Sequence, residues 1–317
     1  MKHWIPITLL LIALVLSAAT THAQQTEKPG ERVSDEAWFW FANAHIDHGF
    51  TEAEAFAASG LTARPGVMSL PVSSAWKETG KTVKVLPYPG VQHPRIGFLE
   101  GAIDPMRGTK VSVFAPWDET SYFVVDVPEA LFSNLGLTFL AHTHIPTIWD
   151  DQGVPNPVFE WERLKKGVLE FEEKLPNGIV FGARVTPEAD GVSMEQWLEN
   201  GTKETLTGLR TQVCVLTKGA KGFEAQTGDN KSLEKPVAVA SHGKRHVLTA
   251  WTHCGKVWEN SKCPCFHSDP VFPDCAPGET VRMRGVLRFY EGDDLAGAIA
   301  KVNEELTASP SKKKKKR

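Results

Sequence analysis

From about Arg64 onward the sequence breaks into short β-rich runs separated by Gly, Pro, Asn and Asp. Ten such runs can be marked, at 109–114, 122–127, 137–142, 168–172, 179–185, 192–198, 209–217, 237–240, 246–251 and 281–290. Many alternate apolar and polar residues with a period of two, and Pro176-Asn177-Gly178 and Ala189-Asp190-Gly191 supply turn chemistry between them. Short strands at this spacing predict an all-β sandwich or barrel. With 26 Gly and 21 Pro, the composition favours turns over long helices. A hydrophobic share of 41% and a charged share of 23% exclude wholesale disorder. No βαβ alternation and no internal repeat is visible, which disfavours Rossmann and TIM architectures.

Helical signals are confined to the flanks. Residues 34–44 and 51–58 read as two short helices, the second opened by Thr51 and Glu54 at capping-box spacing. Residues 293–306 read as one amphipathic helix. The N-terminus reads as an export signal: Lys2 and His3 precede the apolar run Leu9 to Leu16, and Thr21-His22-Ala23 offers a cleavage point. At the other end, Lys312 to Arg317 is an unbroken block of positive charge that repels itself and stays solvated. Such a tail can touch an anionic surface or simply aid solubility. The formal charge of −3 includes that tail, so the body is distinctly acidic, which argues against nucleic acid as the main ligand. The expected organisation is a signal peptide at 1–23, a polar segment with short helices at 24–63, a sandwich domain at 64–308 and a disordered basic tail at 309–317. The expected location is periplasmic or extracellular.

Four stretches, 93–118, 140–150, 175–202 and 263–292, resemble a group of exported bacterial proteins to which no activity attaches. The layout is also similar to the galactose-mutarotase-like supersandwich. Asn200-Gly201-Thr202 with Leu206, and Pro277-Gly278-Glu279 before Val281, stand where that superfamily has a middle strand pair and a late turn. That resemblance implies a β-supersandwich with short N-terminal helices and one C-terminal helix, a carbohydrate ligand, and proton transfer at a sugar.

Candidate chemistry clusters in two places. In His142-Thr143-His144, an extended backbone would put both imidazoles on one face. They can act as acid and orienter, ligate a metal, or satisfy hydrogen bonds at a strand end. Glu160, on another alternating stretch with Glu162, is the candidate base. The alternative is one divalent ion held by His142, His144 and Glu160; the sugar reading itself needs no cofactor. Trp149 and Trp161 flank Asp150-Asp151 and are candidate platforms for a sugar face, with Asp150 holding hydroxyls. The second cluster is Cys263-Pro264-Cys265-Phe266-His267-Ser268-Asp269 with Cys275 behind it. In an exported chain these cysteines, with Cys254, are expected to form disulfides that staple a Pro-rich loop, leaving Cys214 as a buried thiol. Metal binding is the other use of such a cluster. His267 and Asp269 could project from that loop into a site.

Overall fold

A computed structural model describes residues 34–61, 73–77, 80–90, 107–142, 145–225, 228–261 and 263–308. The export segment, His144 and the basic tail lie outside the described residues. Two antiparallel sheets face each other. The seven-stranded sheet runs Val85–Pro87, Lys110–Phe114, Tyr122–Ser133, Arg210–Leu216, Cys265–Pro270, Cys254–Glu259, with Gly136–Leu140 paired on the long third strand. The eight-stranded sheet runs Lys231–Glu234, Val237–His242, Arg245–Trp251, Thr280–Glu291, Gly191–Glu199, Val180–Pro187, Leu169–Lys174, Glu162–Arg163. This is the all-β two-sheet architecture expected from the sequence, and all ten marked runs are strands.

Alternation fixes the core. Val111, Val113, Val125, Val213, Val215 and Phe266 point from the seven-stranded sheet toward Phe181, Val185, Val247, Trp251 and Leu287 of the other. Trp251 lies flat over Gly285, where an added Cβ would stand 2.4 Å from the ring. A side chain there would lift the indole off the sheet.

Each sheet has a helical cover on its outer face. Helix α1 (Asp35–Ala42) starts at Ser34, whose hydroxyl accepts from the Ala37 N–H, and ends in a π-turn over Asn43–Asp47. Helix α2 (Glu52–Ser59) starts at Thr51 with the capping box to Glu54 complete, as the spacing predicts. Phe41, Ala44, Phe50, Ala55 and Ala58 from this segment pack on Val124, Cys214, Leu216 and Cys265 of the seven-stranded sheet. Helix α3 (Leu295–Thr307) covers the other sheet through Val302 and Leu306. Among the described residues, no helix is long and apolar enough to cross a membrane.

One region departs from expectation. The Pro-rich stretch after Cys263 is not a stapled loop: Cys265–Pro270 is a buried strand inside the seven-stranded sheet. No two of the five cysteines stand at disulfide distance, so the expected disulfides are not formed here, and Cys214 is the buried thiol it was expected to be.

Candidate functional site

The seven-stranded sheet carries its chemistry on the outer face, beneath the N-terminal helices. Residues that alternate with the core valines point there, and antiparallel register aligns them. Lys110 stands opposite Asp126, Asp126 opposite Cys214, Cys214 opposite His267, and His267 opposite Trp258. Five neighbouring strands thus contribute one residue each to a single cross-strand row. Facing side chains in such a row lie close enough to interact. Four of the five are almost completely buried: Lys110 is 1% exposed, Asp126 and Cys214 0%, and His267 2%.

A break in register between Asp126 and Ala130 adds a further group. The extra residues place the Glu129 carboxylate over the row, where Oε1 lies 3.3 Å from His142 Nε2 and Oε2 lies 4.0 Å from His267 Nε2. One carboxylate therefore stands between two imidazoles. His142 comes from just beyond the strand Gly136–Leu140, and the Ala141 N–H donates to the Glu129 carbonyl at 2.8 Å, tying the two segments together. Lys110 Nζ lies 3.0 Å from Asp126 Oδ1 and donates to the Ala141 carbonyl at 3.4 Å.

The far side of His267 is also built. Its Nδ1 is 3.4 Å from Asp269 Oδ1, and that oxygen accepts from the Val213 N–H at 2.9 Å. Asp269 Oδ2 accepts from Trp258 Nε1–H at 2.6 Å, and the Trp258 indole stacks on the His267 ring with centroids 3.9 Å apart. The ring is therefore held in plane and in direction. On its other edge, Cys265 Sγ lies 3.7 Å from Nε2, and the donor atoms of Cys214, Cys265 and His267 all fall within 4.8 Å of one another.

Burial sets the electrostatics. Burial alone would lower the His267 pKa, but Cys214, Asp269 and Glu129 outweigh it and raise it from 6.5 to about 10. Burial pushes the Cys214 thiol well above its ordinary range. The same burial acts downward on His48, from the turn after α1: it lowers the pKa from 6.5 to about 4, and Nε2 meets the Ser112 hydroxyl at 2.7 Å. Tyr88 and Tyr122, which pack against His48, are both shifted upward by burial. Buried ionisable groups weigh against stability unless paired, and their concentration on one face marks a site.

The expected residues divide. His142 and His267 belong to this site. Glu160 is partly exposed and ion-paired to Arg107, and the carboxylate beside His142 is that of Glu129. Trp149 and Trp161 are not platforms. Both are 5% exposed and packed in the core, with indole N–H groups donating to the Thr138 and Lys110 carbonyls. Asp150 accepts from the Thr147 N–H and hydroxyl at 2.6 Å each, closing a turn; those bonds lower its pKa. The unforeseen members are Glu129, Lys110, Asp126, Trp258 and the Cys214–Cys265 pairing. Their signal was present: Asp126 and Glu129 interrupt an apolar strand, where a charge needs a partner.

No family model and no curated protein matches the chain. Solved structures give low similarity. A polysaccharide lyase aligns over 71% of this chain and 34% of its own at 13% identity and a TM-score of 0.34. YeaD of Salmonella typhimurium, described as a candidate mutarotase, aligns over 58% of this chain and 90% of its own at 11% identity and 0.31. A candidate kojibiose phosphorylase from the human microbiome aligns over 73% of this chain and 36% of its own at 7% identity and 0.35. The chain therefore spans about a third of the length of the lyase and the phosphorylase.

Proposed function

We propose that this chain is an exported acid–base protein that moves a proton on a sugar, with Glu129 as base and His142 as acid. One observation carries the reading: a buried carboxylate held between two imidazoles, at 3.3 Å and 4.0 Å. Anomeric epimerisation needs a base toward the anomeric hydroxyl and an acid toward the ring oxygen. Glu129 would take the first proton and His142 would deliver the second. His267, stacked on Trp258 and facing Asp269, lies 4.0 Å from the other oxygen of the Glu129 carboxylate and fixes that side of it. The choice of sugar as substrate rests on the sequence resemblance to mutarotase-like supersandwiches. The basic tail is the proposed contact to an anionic surface.

The test is exchange between α and β anomers, followed by NMR over a panel of aldoses, beside a glycan-binding screen of the same protein. Accelerated exchange that falls in His142→Asn is the expected result. Binding without acceleration would remove the catalytic half and leave a sugar-binding protein. Neither binding nor exchange across the panel would overturn the sugar reading.

A further inference from the structure

The geometry points to a second use of this face: Cys214, Cys265 and His267 form a binding site for one zinc-class divalent ion. The site stands on donor geometry and chemistry. Cys265 and His267 are two residues apart on one strand, so both side chains leave the same face. Cys214 arrives from the neighbouring strand as the register partner of His267. Three donor atoms from two adjacent, hydrogen-bonded strands converge within 4.8 Å of one another, and Cys265 Sγ and His267 Nε2, at 3.7 Å, already have the spacing of about 3.3–3.8 Å that tetrahedral bonds of about 2.0–2.3 Å require.

The outer contacts are those of a metal-binding histidine. Asp269 faces His267 Nδ1 at 3.4 Å, favouring a hydrogen there and leaving Nε2 to present a lone pair toward the sulfurs. Asp269 is itself held by the Val213 N–H and the Trp258 indole, so the orientation is fixed before any ion arrives. Two sulfurs and one imidazole select zinc-class ions over calcium or magnesium, which prefer oxygen. Three protein donors leave a fourth position for water or substrate, and the Glu129 carboxylate lies 4.0 Å from the ligating nitrogen. An ion bound here replaces the proton on Nε2 as the positive charge beside Glu129. Binding releases the protons of both thiols and the one on Nε2, and no oxidant or reductant is required.

The inference does not rest on the sugar reading, because ion content is measured without turnover. Full-length protein, purified with a non-thiol reductant and no chelator, is assayed for zinc and then reconstituted with Co2+. About one zinc per chain is expected, together with a thiolate-to-cobalt charge-transfer band in the near ultraviolet. Cys214→Ser and Cys265→Ser each abolish the band, while Cys275→Ser, a buried thiol hydrogen-bonded to the Glu279 carbonyl, retains it. Asp269→Asn weakens zinc binding about 10–100-fold, as loss of an outer carboxylate does. The wild-type cobalt spectrum needs no variant, so misfolding of a mutant cannot mask the result. Free thiols without zinc or a cobalt band, a Cys214–Cys265 disulfide in protein isolated from its host, or full zinc retention in the double serine variant would each overturn the proposal.

Discussion

The outer faces of the two sheets solve one problem in opposite ways. On the eight-stranded sheet, Val237, Val239, Leu248, Ala250 and Val286 meet Val302 and Leu306 of α3, a conventional apolar joint. The buried Arg288 reaches Glu188 and Glu305 and ties the helix down. On the seven-stranded sheet the helical cover packs on Cys214 and Cys265, and the same face buries Lys110, Asp126, Glu129, His142 and His267. Helix α3 needs only to be held. The other face spends stability on desolvated charge, and such an arrangement is expected where chemistry is performed rather than where a fold is secured.

The comparison can be broken at several points. The largest effect is expected at the Lys110–Asp126 pair. Asp126→Ala leaves a buried ammonium and costs about 3–5 kcal/mol in denaturant unfolding, whereas the double change Lys110→Met, Asp126→Leu costs far less. Equal costs for the single and double variants would mean that this face is stabilised by its charges, as the other is by its valines.

Acidification comes next. His48 has its folded pKa depressed from 6.5 to about 4, so the unfolded chain takes up its proton first. The stability it confers is present above pH 6.5 and is lost as pH falls toward 4, by up to about 3 kcal/mol. Urea titrations at pH 7 and pH 4 check this, and His48→Gln is expected to flatten the difference. On the apolar face, Leu306→Ala removes a buried anchor of α3 and costs about 2 kcal/mol, with no effect on any activity. The smallest effect is expected at the N-terminal cover, where Thr51→Ala removes a helix cap worth about 1 kcal/mol by thermal melting.

Much of this architecture was legible because many of the ten runs alternate as strands that face a core do, and Gly, Pro, Asn and Asp punctuate them. The strand Cys265–Pro270 escaped because Pro264 and Pro270 bracket it and His267, Ser268 and Asp269 read as loop chemistry. All six of its residues are buried. Its polar side is covered by neighbouring elements, so hydropathy could not separate it from a turn. The site was legible only in part. His142 and His267 were chosen for their chemistry, but their shared partner Glu129 depends on a register break that no spacing rule announces. Trp149 and Trp161 misled because an indole is equally at home on a sugar and in a core. Their N–H groups, bonded to backbone carbonyls, decide for the core.

The measurement closest to the central claim is the rate of anomer exchange for Glu129→Gln beside wild type, on whichever aldose the wild type accelerates. The substitution keeps the size of the side chain, turns one acceptor oxygen into an NH2 donor and removes the base. The account predicts a fall of about 100-fold or more in a variant that still unfolds cooperatively. An undiminished rate in a folded Glu129→Gln variant would contradict it.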